Sequence, residues 1–481
     1  MNNTGFINNI KTSLIITGLC FASYSVLAQS TNTEYFMSSS FTNTFTNPAK
    51  RPEKSYIGIP GLTNLFGDFK TNTLNLDHFL FPGVGEDGKT GLFLNENVSY
   101  DDFMKNISQK NYLGVNFDYT IFGVGFYIKD LFLSFDISAR ANVGVNIPKD
   151  IFGFVKSSFT AGENEEKIYN LSNLNVNANS FTQLGIGASY PVLNQSLVLG
   201  AKVKILYGIA HANFNLDNMS VNISNNVWKV STQASGEMVI PTVQAEYDEE
   251  TGKVSKFNTD GPTSVFNGSG FGLDLGATFA PGKISDAEWL KPLTVSAAVT
   301  DIGFISWDKS KIISLATHPK DVIVTGNYDI HVDESDNIFK DLGDAFSDAV
   351  AFYPSPTSKT TSGIGAKMNW GIEYLLLNGK LNAGFLNTYY FNPAGAISEF
   401  TIAGAYRPVG AIELGLSYSF VHKNVGLALH LGPFLYISSD YAFPHVNSYF
   451  IPTTSKGVNI QLGLAIPIGK KHVAKNTKAN S

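Results

Sequence analysis

Residues 131–147 read Leu131-Phe132-Leu133-Ser134-Phe135-Asp136-Ile137-Ser138-Ala139-Arg140-Ala141-Asn142-Val143-Gly144-Val145-Asn146-Ile147. Every odd position is apolar, and Phe132 alone breaks the polar even set. The chain is 43% hydrophobic, so nine such hits in a row arise by chance in about one window in two thousand. The pattern is that of a strand with one apolar and one polar face. Strands of globular proteins run about 5–6 residues, and this run is three times as long. At about 3.3 Å per residue and a tilt of about 40°, it exceeds the roughly 25 Å apolar band of an outer-membrane barrel.

The pattern recurs. Leu197, Leu199, Ala201, Val203, Ile205 and Tyr207 alternate with a set holding Lys202, Lys204 and Leu206. Phe271, Leu273, Leu275, Ala277 and Phe279 alternate around Asp274. Ile364, Ala366, Met368, Trp370, Ile372 and Tyr374 alternate around Glu373, and Ile412, Leu414, Leu416, Tyr418 and Phe420 around Glu413. Val458 to Ile468 repeats the theme. A soluble sandwich also alternates, but rarely with so many strands of this length.

Fourteen strands are expected: 55–72, 112–128, 131–147, 180–190, 197–212, 269–280, 292–305, 363–376, 380–391, 398–406, 411–421, 425–432, 434–441 and 457–468. The first four odd-to-even connections are long: 73–111, 148–179, 213–268 and 306–362. The even-to-odd ones are short, as at Lys129-Asp130, Leu377-Asn378-Gly379 and Gly432-Pro433. Asn-Gly is a strong tight-hairpin signal. Short turns on one side and long loops on the other follow the outer-membrane rule, with the turns periplasmic. An even strand count puts both termini there. The expected fold is thus all-β, a fourteen-stranded antiparallel transmembrane barrel over 55–469. Within the loops, 148–158 and 337–350 are expected as short helices, 235–268 as a polar, mobile loop, and 321–331 as a strand extension.

Residues 1–28 read as a signal peptide: Lys11, an apolar core over 14–22, and Val26-Leu27-Ala28 before Gln29. Leu19 before Cys20 departs from the small residue a lipobox wants. Cys20 is the sole cysteine of the 481 residues, so a chain cut after Ala28 has no thiol chemistry. No later run is long and apolar enough for a spanning helix. The net charge of −6 gives no basic excess for nucleic acid. The tail 470–481 is polar and expected to be disordered.

The chain carries little sign of catalysis. Its eight histidines are scattered, with no H-E-x-x-H, and no G-x-S-x-G elbow or P-loop appears. No catalytic residue, metal site or cofactor is expected. The informative residues are the charges on polar strand faces: Asp136, Arg140, Lys202, Lys204, Asp274, Glu373 and Glu413. In a barrel they face the lumen, where a charge needs water or a partner. They either tie wall and plug together or line a permeation path. Tyr119, Tyr127, Tyr190, Tyr207, Tyr374 and Phe420 are expected on the apolar face near strand ends, as interfacial anchors.

Asn47-Pro48-Ala49, Arg51-Pro52-Glu53 and Tyr56-Ile57-Gly58-Ile59-Pro60-Gly61-Leu62, followed in order by Pro148-Lys149-Asp150, Asp301-Ile302-Gly303-Phe304-Ile305-Ser306-Trp307 and Gly432-Pro433, resemble domain-of-unknown-function family 5723, exported proteins of Bacteroidota. The early Asn-Pro-Ala and a Gly-x-Gly-x-Asp strand also resemble the superfamily of long-chain fatty-acid porins and a type IX secretion barrel. That resemblance implies an N-terminal hatch over 29–54 containing Asn47, Pro48 and Ala49. Read from the residues alone, Asn47-Pro48 is a turn before the first strand. The resemblance further implies passage of small hydrophobic compounds across the outer membrane, with lipid and a small hydrophobic ligand as partners. The alternatives are a shuttle or scaffold for a secreted-protein partner and a surface adhesin.

Overall fold

A computed structural model of the chain describes residues 31–472, apart from 86–87, 159–166, 225–226, 260, 262–263, 319–320, 326–350, 358–359, 393–394, 433 and 442–455. The expected signal peptide 1–28, the expected helix 337–350 and the tail beyond 472 lie outside the described residues.

Fourteen strands form the wall. β1 is split into Ser55–Gly58 and Asn64–Thr71; β2 is Lys110–Ile128, β3 Leu131–Pro148, β4 Leu174–Val192 and β5 Leu197–Ser224. β6 is Gly268–Phe279, β7 Leu293–Trp307, β8 Lys367–Leu376, β9 Leu381–Asn392 and β10 Gly395–Val409. β11 is Ile412–Ser419, β12 Asn424–Leu431, β13 Leu435–Ser439 and β14 Gly457–Ile468. Each pairs antiparallel with the next. β14 returns to both halves of β1, with Ser55 opposite Ile468 and Leu65 opposite Leu462. The sheet therefore closes and leaves no edge, which a hydrocarbon environment requires. All fourteen expected strands are present.

The faces sort as the alternation predicts. On β5, Leu199, Val203, Ile205 and Tyr207 are exposed, whereas Lys202 and Lys204 between them are 3% and 1% exposed. Similar apolar residues cover the outside of the other strands, among them Leu275, Ile302, Trp370, Ile402, Leu416 and Ile460. A surface of this kind is stable against lipid, not water. Phe132, the exception in the polar face of β3, is buried against Phe45 and Tyr56 in an interior aromatic cluster.

Several register shifts interrupt the wall's ladders, and two of them change the face taken by Tyr127 and by Asp301, because one extra residue moves every following side chain to the other face. In β2 the register slips between Thr120 and Phe122. Tyr127 consequently turns inward instead of anchoring in lipid. Its hydroxyl donates to the Pro52 carbonyl at 2.7 Å and its ring stacks on His472 at 4.2 Å. His472 and Lys471 are thus bound to the barrel, a correction to the tail expected from 470 onward. The second bulge opposes β6 to Asp301, whose φ is 61°. Before it Val295 faces out; after it Ile302 and Phe304 do. Ile364, expected outward, is buried beside Trp307 and Leu206, because the backbone breaks at Gly365 with φ of 82° before β8 begins.

The expected connection 213–268 is mostly sheet. β5 runs on to Ser224, and Val227–Val239 returns beside it. Ile313–Thr317, Asp321–Thr325 and Phe352–Pro354 extend this sheet, so 321–325 is the expected strand extension. Within 235–268, expected as a loop, Gln244–Tyr247 pairs with Val254–Asn258. Alternating apolar residues past the membrane band drive the extension: Leu216, Met219 and Val221 are buried with Phe154 and Tyr169. The helix Lys149–Ser158 forms as expected from Pro148 at its start. It buries Phe154 in that core and packs Phe152 into a second one built on Leu74, Val98, Phe103, Met104 and Ile107. The long-loop end is thus a folded cap.

Phe103 is fully buried and stacks on Phe93 at 4.3 Å, away from the wall. Phe103→Ala should cost the cap about 3–5 kcal/mol. Proteolysis of 73–109 should accelerate while the barrel's heat-modifiable migration stays unchanged.

Candidate functional site

The lumen is built from the inward halves of the strands and from residues 31–50. All seven charges singled out from the sequence are buried. Asp136 and Arg140, four residues apart on β3, find separate partners. Lys202 forms a close ion pair with Asp136. Arg140 donates from Nη1 and Nη2 to the two oxygens of Asp301 at 2.6 and 3.0 Å, and its Nε lies 2.9 Å from Asp118. Lys204 bridges Asp301 and Asp274 at 2.5 and 2.7 Å. Asp274 also accepts the Asp301 backbone N–H at 2.7 Å. Gln183 links the two groups, accepting from Arg140 and donating to Asp136, each at 3.3 Å. One connected network thus spans β2 to β7.

Asp301 holds it together, and parity hides it in the sequence. On an unbroken β7 it would share the outward face of Val295, Ala297 and Val299. The bulge turns it inward. Asp118 was reachable by extending the alternation to β2. So were Asp68 and Lys70 on β1, which pair at 2.6 Å beside Glu399.

Glu373 and Glu413 face a different partner, the chain's own residues 31–50. Glu373 pairs with Lys50 at 2.7 Å. Glu413 accepts the backbone N–H groups of Ser38 and Ser39 at 3.0 and 3.1 Å, and pairs with Arg407 at 3.2 Å. Asp440 accepts those of Asn32 and Thr33, each at 2.9 Å. The Thr33 hydroxyl meets Ser417 at 2.5 Å, and the Tyr35 hydroxyl meets Ser296 at 2.8 Å. The segment holds only two single helical turns, Glu34–Phe36 and Asn43–Thr46, so wall side chains satisfy much of its remaining backbone.

Asn47, Pro48 and Ala49 lie against β5, β6 and β7. The Asn47 amide donates to the carbonyls of Ala277 and Ala297 at 3.3 and 3.4 Å, while its oxygen accepts the Ala49 N–H at 2.9 Å. Gly200 and Gly276 face each other across β5 and β6. A methyl group on Gly200 would fall within 2.3 Å of Pro48, and one on Gly276 within 2.1 Å of Asn47. Only glycine admits the segment here. On the opposite, lipid-facing side of this glycine pair lies an apolar groove of about 410 Å³, lined by Leu131, Ala188, Tyr190, Leu199 and Leu275. Inside the barrel a small cavity of about 40 Å³ is lined by polar and charged side chains, among them Lys70, Asn116, Asp118, Arg140 and Lys367. Among the described residues no cluster of His, Cys, Asp or Glu could hold a metal.

A family model of unknown function, DUF5723, matches residues 48–440. The chain belongs to this family. No curated protein matches it. Among solved structures, this DUF5723 chain is similar to a TodX monoaromatic hydrocarbon channel mutant (10% identity, 93% of this chain, 99% of that one, TM-score 0.27). It is similar to the CymD monoaromatic hydrocarbon channel (8%, 93% and 96%, TM-score 0.30). It is also similar to an outer membrane channel from Pseudomonas putida F1 (9%, 86% and 98%, TM-score 0.23). At such low scores the fold of this DUF5723 member rests on its own strand pairings.

Arg140→Gln would leave Asp301 and Asp118 buried without their guanidinium, a loss of about 3–5 kcal/mol. The expected result is a lower urea midpoint, with Gln183→Leu far milder. A second prediction concerns Glu34, which accepts from Ser40 at 2.6 Å. Burial, helped by nearby Asp440, raises its pKa to about 7. A raised carboxyl keeps a proton that the free segment has lost, so its contribution to docking is full below about 4.5. That contribution fades as pH rises through 7. Hydrogen-exchange protection factors over 31–50, taken relative to the intrinsic base-catalysed rate, should fall from pH 5 to pH 8, and Glu34→Gln should flatten that fall.

Proposed function

We propose that this chain is an outer-membrane barrel with both termini in the periplasm, that residues 29–54 act as its hatch, and that it passes small hydrophobic compounds. The observation that carries the reading is the glycine pair Gly200–Gly276. There the wall is backbone alone, with Pro48 on its inner side and an apolar groove on its outer side. The polar lumen suits a hydrophobic compound poorly. A hatch that withdraws Asn47-Pro48-Ala49 leaves only the paired backbone of β5 and β6 between lumen and groove, so a local parting of these two strands gives a short route to the lipid. The Bacteroidota origin implied by the family resemblance fits an outer membrane.

A second reading, a non-transporting scaffold or shuttle for a secreted protein of the type IX kind, is favoured by the ion pairing of the lumen charges. It is also favoured by the folded cap, which offers a large surface to a partner.

A lock decides between them. Thr33→Cys with Ser417→Cys places two thiols where the hydroxyls meet, close enough for a disulfide. In cells with an intact lipopolysaccharide barrier, the native barrel should raise entry of N-phenyl-1-naphthylamine. The oxidised double variant should not, and reductant should restore entry. Equal dye entry with and without the native barrel would overturn passage.

A further inference from the structure

A cavity of about 220 Å³ opens at the short-turn end, between the chain around Ser39 to Tyr56 and the ends of β10 to β14. Its inner wall is aromatic: Phe41 stacks on Tyr56 at 4.3 Å and meets Tyr436 edge-on at 5.1 Å. Its rim holds Arg407, between two carboxylates of unlike standing. Glu413 is 3% exposed and fixed by two backbone N–H groups. Glu53 lies on the linker into β1, with its side chain 25% exposed. It accepts Arg407 Nη1 at 3.0 Å on each oxygen, and otherwise holds the exposed Lys471 ammonium at 2.5 Å.

We propose that this mouth binds a small amphipathic organic anion. The carboxylate of the ligand takes the place of Glu53 on Arg407, and its apolar part lies along Phe41, Tyr56 and Tyr436. Glu53 is then an internal stand-in for the ligand. Four features support this. A guanidinium recognises any carboxylate presented to its N–H fork. The Arg407–Glu53 pair is partly open to solvent, at 19% and 25%, whereas Glu413 is 3% exposed; screening weakens such a pair, so Glu53 yields before Glu413 does. Arg407, Lys471 and the exposed Lys54 outnumber Glu53 and Glu413 by one charge, and the swing of Glu53 away from Arg407 raises that excess at the rim. An apolar floor with a few convergent polar groups is the usual form of a small-molecule site. The site also communicates with the lumen, because Arg407 joins Glu53 to Glu413 and Glu413 holds Ser38 and Ser39. Binding here does not depend on passage, and it is read on the resting barrel.

The test is calorimetric titration of the full-length barrel in amphipol with 4-phenylbutyrate and with its neutral analogue 4-phenylbutanol. The acid should bind about tenfold more tightly than the alcohol. Glu53→Gln, which removes the internal competitor, should tighten the acid several-fold and leave the alcohol unchanged. Arg407→Gln should abolish the preference. Equal binding of acid and alcohol, or weaker acid binding by Glu53→Gln, would overturn the site. If Arg407→Gln fails to assemble, as judged by heat-modifiable migration, Glu53→Gln decides alone.

Discussion

Arg140, Lys202 and Lys204 share the lumen with Asp118, Asp136, Asp274 and Asp301, and the loss of any of the three cations strands a buried carboxylate. A barrel whose outside is committed to lipid must settle its inward charges internally. Desolvating a charge is expensive, and only a close opposite partner offsets it. Here the offset is shared across six strands. The bulge at Asp301 makes that sharing possible, since it delivers one carboxylate to Arg140 and Lys204 together. Strand order and register around β2 to β7 are coupled to this single irregular residue.

The other half of the lumen answers the same constraint differently. From β8 to β14 the polar side chains are turned to residues 31–50. Asp440 and Glu413 accept consecutive backbone N–H groups, Asn369 and Asn382 donate to the carbonyls of Thr46 and Phe36, and Glu373 takes Lys50. An irregular segment exposes its backbone groups, and this wall supplies matching donors and acceptors. The contact is close where side chains are absent: Gly200 and Gly276 let Asn47 and Pro48 reach the strand backbone. The wall is therefore thick with ion pairs on one side of the segment and thin at the glycines.

Much of this was legible in the residues. Alternation over 131–147 and its repeats located all fourteen strands and put the seven charges inside. What escaped was whatever an inserted residue rearranged. Tyr127 and Asp301 each follow a bulge, and period-2 reading assigns each to the wrong face. Ile364 fails for a related reason, a backbone break at Gly365. The partners of Glu373 and Glu413 were equally out of reach, because Lys50 and Ser38-Ser39 carry no periodicity and lie more than three hundred residues away. The extended sheet past residue 212 looks like loop in the sequence because its polar face is rich in Asn and Ser, residues common in turns.

Local sequence patterns set the architecture: strand number, which end carries long loops and, away from the bulges and the break at Gly365, which side chains face outward. These follow from local alternation and turn chemistry, which each segment expresses without knowledge of the others. Only the tertiary structure decided which charges pair, where residues 31–50 lie, and that Glu53 occupies the fork of Arg407. Such pairings depend on barrel closure and on two bulges. Closure brings together residues that no spacing relates, and one inserted residue exchanges the inside of a strand for its outside.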